Sequence, residues 1–262
     1  MLAGTVKMIN SLSAELNVMR PSMLETGLEA IAYNINRKNN DLQLFEYGKT
    51  YGIDAAGAYQ EAEHLCLYLT GHNAEDGWRA KSKLYDLYSA KGLATAVLSL
   101  CGLNNIHFMK PEGTGLALDI YYGKQLLGSL QEVSRKKLQA FDIRQAVYFI
   151  DFQLAVLLKA AGKQKIVYQE VNKFPAMQRD LAMVVTRTTT YDAMEAIVHK
   201  IKLPRLKDMR LFDVFESDRL GADKKSVAIS FTFVDEEKTL TDKEVDGMIA
   251  KLVQGFEKEL GA

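Results

Sequence analysis

The sequence predicts an α+β protein with two domains and mostly antiparallel sheet. Strand candidates outnumber helix candidates, and the connections between them are short, which favours antiparallel pairing. With 262 residues the chain is long enough for two domains. A polar, turn-prone stretch, KQKIVYQEVNKFPAM, interrupts the pattern near residue 170. We therefore expect one domain over residues 1–168 and a second over residues 172–262.

The first domain is expected to contain six strands and four helices. Strand patterns cover residues 41–51, 64–71, 105–110, 116–123, 124–133 and 145–152. Helix patterns begin near Leu24 and continue over residues 83–102, 134–141 and 154–162. The more polar residues 53–62, between the first two strands, are expected to form a loop. Gly123 joins two strand patterns so tightly that it predicts a hairpin, and Gly102 is expected to cap a helix.

The second domain follows a different order, strand-helix-strand-strand-helix. Its strand patterns are LAMVVTR, MRLFDVFE and SVAISFTFVD. Thr190 can N-cap the first helix, and Thr241 with Glu244 three residues later forms a capping box that opens the second. This order is the split β-α-β arrangement of a ferredoxin-like domain whose fourth strand is missing or short. We therefore expect the sequence to stop before that fold is complete.

Composition places the chain among globular proteins. Hydrophobic residues make up 48% of it and prolines number only 4, which excludes a disordered chain. Lysine plus arginine equal aspartate plus glutamate at 33 each, so any nucleic-acid contact must be a local patch. Cys66 and Cys101 lie in apolar surroundings, which is typical of reduced thiols in a cytoplasmic protein. No apolar run approaches the roughly 20 residues of a membrane span, so we expect no membrane association.

The last strand assigns two faces to the sheet of the second domain. Its apolar residues alternate with small polar ones, so one face must be core and the other open. The core residues of this strand are Val227, Ile229, Phe231 and Phe233. On the neighbouring strand, simple alternation groups Leu211, Asp213 and Phe215 on one side and Phe212 and Val214 on the other. The open face is therefore expected to carry Asp213, Phe215, Ser230 and Thr232.

This expected open face combines an aromatic ring with hydrogen-bonding groups. Such a combination is typical of a surface that stacks on a nucleobase and reads its edge, so an RNA-binding site is one interpretation of this face, although not the one that composition alone favours. A solvated sheet face, or one packed on another domain, would have the same composition. Arg179 and Arg210 lie near strand ends, where phosphate contacts would be expected. For Arg179, which adjoins Asp180, a structural ion pair remains the alternative.

Other chemistry has little support in the sequence. The four histidines are His64, His72, His107 and His199. They lack the spacing of metal ligands and have no paired cysteines near them, so we predict no metal site. The sequence holds no G-x-S-x-G pattern and no cysteine with a suitably placed histidine. We therefore predict no catalytic residues.

Several motifs resemble one known family. The stretches FPAMQRDLAMVV, LFDVFE, KKSVAISFTF and EEKTLTDKEVD are similar to the ferredoxin-fold anticodon-binding domain that ends bacterial phenylalanyl-tRNA synthetase beta chains. Upstream, LSAELNVMRPSMLETGLEAIAYNINRKN followed by LFEYGKTY resembles the catalytic-like module of the same chains, which has the class II synthetase fold. The resemblance covers nearly the whole sequence and keeps the family's order of motifs.

The resemblance implies a heterotetramer of two alpha and two beta chains that attaches phenylalanine to tRNA-Phe with ATP and Mg²⁺. In this family the alpha chain carries the chemistry, so residues 1–168 are expected to be an inactive class II synthetase-like module that lacks its beginning. The family's magnesium ligands lie upstream, so we expect no cofactor to be bound here. Gly52 and Gln153 align with two arginines that hold the phosphates of ATP in class II enzymes. The anticodon-reading strand matches LFDVFE, which assigns base hydrogen bonding to Asp213 and stacking to Phe215.

Two other functions remain open from the residues alone. Ferredoxin-like domains in regulatory proteins often sense amino acids at a dimer edge, but the loop after LAMVVTR is TTTYD and has no glycine. A pure scaffold would use both domains only to bury another subunit, and a large apolar surface patch would indicate it. The hypothesis that we favour over both is that the chain is a structural and tRNA-binding part of a tRNA ligase.

Overall fold

A computed structural model describes residues 4–11, 13, 17–111, 115–165, 168 and 170–261 of the chain. The chain divides into two compact units, Met1–Ile166 and Val167–Ala262. Each unit has its own sheet and its own hydrophobic core. Among the described residues, every helix falls short of the length or the apolarity that a membrane crossing requires. Cys66 and Cys101 are free thiols, as the sequence predicted.

The first unit is a six-stranded antiparallel sheet with helices on both faces. Its strands are β1 (Leu42–Ile53), β2 (Tyr59–Thr70), β3 (Ile106–Met109), β4 (Ala117–Tyr122), β5 (Gln125–Glu132) and β6 (Val147–Gln153). Its helices are α1 (Leu24–Ile35), α2 (Leu87–Leu100), α3 (Arg135–Gln139) and α4 (Leu154–Ala161). The strand order is β1-β2-β6-β5-β4-β3. The predicted α+β class with antiparallel sheet is confirmed.

The hairpin of β1 and β2 is longer than the sequence indicated. The prediction of a loop over residues 53–62 is wrong, because Ile53 ends β1 and β2 already begins at Tyr59. The first five residues of β2 are all exposed, so they lack the apolar alternation by which a strand is recognised. Backbone pairing with β1 extends the strand instead, as far as the pair of Ile53 and Tyr59.

The two faces of this sheet pack against different helices. Because side chains alternate along β2, three leucines lie on one face of the sheet, where α2 and α4 cover them. The three are Leu65, Leu67 and Leu69. Cys66 and Tyr68 point to the other face, where α1 and α3 pack. There the Tyr68 ring lies 5.1 Å from the Phe149 ring, and the Tyr68 hydroxyl donates to the backbone oxygen of Met23 at 2.7 Å.

The second unit contains three strands and two α-helices within the described residues. Its elements are β7 (Met177–Thr186), α5 (Tyr191–Ile201), β8 (Leu206–Phe215), a short 3-10 helix (Asp218–Leu220), β9 (Lys224–Phe233) and α6 (Asp242–Leu260). The sheet order is β7-β9-β8, and both strand pairs are antiparallel. This topology is the split β-α-β arrangement that the sequence predicted.

Capping side chains begin both helices of the second unit, and both helices pack on one face of its sheet. The hydroxyl of Thr190 accepts a hydrogen bond from the backbone N–H of Ala193. Thr241 and Glu244 form the predicted capping box, which satisfies backbone N–H groups that the first turn of α6 leaves unpaired. The residues of β9 in the core with both helices are Val227, Ile229, Phe231 and Phe233.

We expect Gly128→Ala to destabilise the first unit strongly. Gly128 lies in β5, where an added Cβ would stand 2.1 Å from the backbone oxygen of Asp151 on β6. Because β6 is paired on both sides, that oxygen cannot move aside, and overpacking should cost about 2 kcal/mol or more. Urea unfolding followed by circular dichroism measures the loss.

The matched control for that experiment is Gly92→Ala, in helix α2 of the same unit. No atom lies within 4 Å of a Cβ added there, so the change should be neutral or stabilise the helix by up to about 1 kcal/mol. Equal unfolding midpoints for the two variants would show that the close approach of β5 and β6 does not exclude a side chain at position 128.

Candidate nucleic-acid interface

The open face of the second unit is the side of its sheet opposite α5 and α6. Strand pairing places its residues in rows that run across β7, β9 and β8. The rows are Gln178, Thr232 and Asp208; Asp180, Ser230 and Arg210; Ala182, Ala228 and Asp213; and Val184, Ser226 and Phe215. Successive rows are about 7 Å apart along the strands. The face therefore changes from polar and charged at one end to small and aromatic at the other.

Four of the predicted RNA-binding residues lie together on the open face with access to solvent. Asp213 and Phe215 stand two positions apart on the edge strand β8, and the Phe215 side chain is 57% exposed. Arg210 and Thr232 lie in the two more polar rows. Ser230 also faces this side but is only 8% exposed, between residues of the flanking strands. Its hydroxyl is therefore poorly placed to meet a base.

β8 contains two register shifts, and the second decides which residues at the end of that strand reach the open face. The register shifts between Leu211 and Asp213, so Phe212 has no partner of its own. As a result, Leu211 pairs with Ile229 on the helix-covered side, whereas Asp213 lies on the open side. The expectation that Leu211 shares a face with Asp213 is wrong, because simple alternation does not anticipate an additional residue.

Arg179 does not lie on the open face. It pairs across the sheet with Phe231, on the helix-covered side. Its guanidinium forms ion pairs with Asp242 and with Asp246, both in α6, and the Nε of Arg179 lies 3.4 Å from the Asp246 carboxylate. The neighbouring Asp180 faces the opposite side of the sheet. The geometry therefore supports the structural ion pair for Arg179 and not the phosphate contact.

The open face carries charge of both signs. The carboxylates of Asp180, Asp208 and Asp213 stand on it. Arg210 and Lys224 supply positive charge. Because carboxylates repel the phosphate backbone, such a face does not suit non-specific binding of nucleic acid. A carboxylate instead accepts hydrogen bonds from the amino and imino groups of bases, so this arrangement fits contact with selected bases.

A second polar cluster, on the first unit, was missed by the sequence analysis. It consists of His64 and Cys66 on β2, Asp151 on β6 and Thr50 on β1. The Nδ1 of His64 lies 2.7 Å from Oδ1 of Asp151, and its Nε2 lies 2.8 Å from Oγ1 of Thr50. The Cys66 thiol donates to the same Asp151 oxygen at 3.5 Å. Burial and then the Asp151 carboxylate raise the pKa of the Cys66 thiol, so it is protonated while it donates to Asp151.

The sequence offered only part of the signal for this cluster. His64 and Cys66 are two positions apart, so a strand puts both side chains on one face. Asp151 is 85 residues further along the chain than Cys66. Only the pairing of β2 with β6 brings Asp151 opposite Cys66, and residue spacing does not reveal that pairing.

The same sheet face carries Gly52 and Gln153, the positions that the family resemblance aligned with ATP-binding arginines. Gly52 lies near the end of β1, and Gln153 ends β6. Neither side chain carries a charge, so these positions do not fit the phosphates of ATP. Arg20 contacts β1, but its guanidinium is held by Glu46 at 2.7 Å and by the backbone oxygen of Lys49 at 2.8 Å.

Comparison with known proteins identifies both parts of the chain. Residues 2–154 match the family described as the phenylalanyl tRNA synthetase beta chain CLM domain, and residues 172–262 match the ferredoxin-fold anticodon binding domain. Together with the antiparallel fold, these matches define a chain of the aminoacyl-tRNA synthetase class. The chain belongs to the phenylalanyl-tRNA synthetase beta chain family.

Curated relatives agree with this assignment. The chain is 37% identical to the phenylalanine–tRNA ligase beta subunit of Bacteroides fragilis, in an alignment covering 98% of this chain and 33% of the relative. The beta subunits of Porphyromonas gingivalis and Listeria monocytogenes are 31% and 30% identical, with the same coverage. The chain therefore spans about one third of the length of the curated relatives it matches. Among solved structures, the pyrrolysyl-tRNA synthetase of Desulfitobacterium hafniense aligns with a TM-score of 0.47 and 16% identity, over 61% of this chain and 53% of that chain.

We expect Arg179→Gln to lower the stability of the second unit slightly and to leave RNA binding unchanged. The change removes the ion pairs with Asp242 and Asp246, which are partly exposed to solvent, so the unfolding midpoint should fall only a little. The matched control is Arg210→Gln on the open face. It should weaken binding of an anticodon stem-loop and barely affect unfolding. If Arg179→Gln weakens RNA binding and Arg210→Gln does not, Arg179 contacts phosphate and the structural assignment is wrong.

Proposed function

We propose that this chain is the part of a phenylalanine–tRNA ligase beta subunit that binds the anticodon region of tRNA-Phe and supports the alpha subunit. The whole enzyme, a cytoplasmic heterotetramer of two alpha and two beta subunits, would ligate phenylalanine to tRNA-Phe with ATP and Mg²⁺. Catalysis belongs to the alpha subunit in this proposal, because Gly52 and Gln153 lack the charge that ATP requires. Membership of the family favours RNA binding over the amino-acid sensor considered as an alternative.

The exposed ring of Phe215 is the observation that carries this proposal. Phe215 is 57% exposed and Val184, in the same row of the open face, is 40% exposed, so the two form a small apolar patch that is open to a partner. A nucleobase can cover this surface, because every base has a flat face that stacks on aromatic rings. Val184 and Ser226, in the same row, have smaller side chains. A base can therefore approach the ring from the open side.

Asp213 is placed to read the edge of that stacked base. It lies about 7 Å from Phe215 along β8, in a row whose other members are Ala182 and Ala228. Two alanines leave shallow space around the carboxylate, so the edge of a base can reach it. A carboxylate accepts hydrogen bonds from the amino or imino groups of bases. Phe215 has no hydroxyl, so it contributes stacking and no hydrogen bond.

The remaining predicted residues take different roles in this proposal. Arg210, one row beyond Asp213, is available for the phosphate of an adjacent nucleotide. Thr232 offers a hydroxyl at the polar end of the face. Ser230 fills the middle of the sheet and does not contact RNA, because it is nearly buried. Arg179 stabilises the junction of β7 with α6.

In this proposal the alpha subunit contacts the first unit at the exposed aromatic residues of strand β1. Strand β1 lies at one edge of the six-stranded sheet. Its residues Phe45 and Tyr47 are 70% and 62% exposed, and their rings pack edge to face with centroids 6.1 Å apart. Adjacent exposed aromatic side chains are typical of protein interfaces. Further along β1 the edge is already covered, because Tyr51 and Ile53 donate backbone hydrogen bonds to Arg20 and Gly4, so the proposed contact is limited to the part around the two rings.

We expect Phe215→Ala to weaken binding of the tRNA-Phe anticodon stem-loop roughly 5- to 150-fold, because stacking contributes about 1–3 kcal/mol per base. Asp213→Asn should reduce the preference for the native loop over a changed loop, because an amide replaces one acceptor with a donor. The measurement is an NMR titration of the full 262-residue chain with both RNAs at low salt.

The matched control for base reading is Val214→Ala. Val214 is an exposed residue of the same strand, but it pairs with Val227 on the helix-covered side. This variant should bind both RNAs like the unchanged chain. If the native and changed loops shift the same amides equally, or if Phe215→Ala binds normally, the open face does not read bases.

We expect the double variant Phe45→Ser with Tyr47→Ser to bind the alpha subunit at least about tenfold more weakly. Each buried aromatic side chain contributes on the order of 1.5–3 kcal/mol, and about 1.4 kcal/mol corresponds to a tenfold change in affinity. Analytical ultracentrifugation of the mixed subunits measures the association. The control is Tyr33→Ser, another exposed aromatic residue, which lies on α1. If the double variant and the control bind the alpha subunit with equal affinity, the interface does not include Phe45 and Tyr47.

A further inference from the structure

The cluster of His64, Cys66 and Asp151 has no part in the function proposed above. Its three donor atoms are a ring nitrogen, a thiol sulfur and a carboxylate oxygen, and they all lie within 4.8 Å of one another. Cys66 is fully buried, whereas the side chains of His64 and Asp151 are 13% and 26% exposed. An ion can therefore reach the cluster past the latter two. Ionisable groups gathered at such a site need shared hydrogen bonds or a bound ion to compensate for lost hydration.

We propose that these three residues bind one divalent transition-metal ion of the zinc class. One nitrogen, one sulfur and one oxygen donor suit Zn²⁺, whereas Mg²⁺ and Ca²⁺ prefer oxygen donors alone. Ligand atoms at about 2.0–2.3 Å from a tetrahedral zinc ion lie roughly 3.3–3.8 Å from each other. The donor atoms of the cluster, all within 4.8 Å of one another, are already close to that spacing. Three protein ligands leave a fourth position for water.

The backbone holds the proposed ligands in a fixed frame. Cys66 and Asp151 are directly opposite each other in the pairing of β2 with β6, and both strands have partners on both sides. His64 lies two residues from Cys66, so it shares the same face. Thr50 contacts the far ring nitrogen of His64 and fixes the plane of the imidazole. A hydrogen bond of this kind, on the nitrogen that does not bind the metal, orients metal-binding histidines in general.

Metal binding at this site exchanges hydrogen bonds for coordinate bonds and involves no oxidation or reduction. Without metal, Nδ1 of His64 donates to Asp151, because a carboxylate only accepts, and Nε2 shares a hydrogen bond with the Thr50 hydroxyl. With metal, Nδ1 gives its lone pair to the ion, and the ring proton stands on Nε2 and donates to the Thr50 oxygen. The thiol of Cys66 loses its proton to solvent and binds as a thiolate. Asp151 binds through the carboxylate oxygen that previously accepted both hydrogen bonds.

Cobalt(II) titration of the full 262-residue chain tests the site. Co²⁺ reports its own ligands by absorption, so the metal-free chain should gain a thiolate charge-transfer band and the visible bands of a tetrahedral ion. Both should saturate at one equivalent and disappear when Zn²⁺ is added. Cys66→Ser should lose the thiolate band, and His64→Gln should lose saturation at one equivalent. Thr50→Val, which removes only the hydrogen bond to the histidine, should weaken binding about 10- to 100-fold.

Cys101→Ser is the matched control, because Cys101 is the other free thiol of the first unit and is not among the proposed ligands. It should bind Co²⁺ like the unchanged chain. Circular dichroism confirms that each variant is folded. The proposal is overturned if the folded, unchanged chain gives no thiolate band, if the band is lost in Cys101→Ser, or if it persists in Cys66→Ser. In any of those cases the cluster is a hydrogen-bonded network only.

Discussion

The second unit depends on the register of β9 between its two neighbours. Side chains alternate along a strand, so placing Phe231 and its apolar neighbours under the helices forces Ser230 and its polar neighbours to the opposite side. A shift by one residue would exchange the two sets and expose the core. Burial of large apolar side chains stabilises the unit more than contacts on the open face do. The core therefore fixes the register, and the candidate RNA-binding surface follows from it.

β8 contains two register shifts, and the one at Phe212 sets the orientation of Asp213 and Phe215. Leu211 pairs with Ile229 on the helix-covered side, so strict alternation beyond it would turn Asp213 and Phe215 to that side as well. The additional residue Phe212 restores both of them to the open face. An edge strand can accommodate a bulge because only one partner must adjust. The most exposed strand of the unit is thus also the one that can present an aromatic ring and a carboxylate to a ligand.

Local signals in the sequence predicted most elements, whereas features that depend on strand pairing were predicted poorly. The capping box of Thr241 and Glu244 involves neighbours within one turn, so the sequence reveals it directly. The exposed start of β2 and the register shifts in β8 depend on pairing with neighbouring strands, and no local sequence pattern marks them. Asp213 and Phe215 were assigned to the correct face, but Leu211 was not. The cluster around His64 joins residues 87 positions apart, so only the sheet order discloses it.

The first unit keeps a complete antiparallel sheet although neither Gly52 nor Gln153 carries a charge. Gly52 and Gln153 stand at strand ends, outside the two hydrophobic clusters that hold the sheet together. A charged side chain at either position would add little to folding, so a neutral residue there does not weaken the sheet. Side chains also occupy this face: Arg20 lies against Gly48, where an added Cβ would stand 2.1 Å from Nη2 of the guanidinium. A face filled in this way stabilises its own unit, whereas the exposed rings of Phe45 and Tyr47 lie on the opposite face of β1.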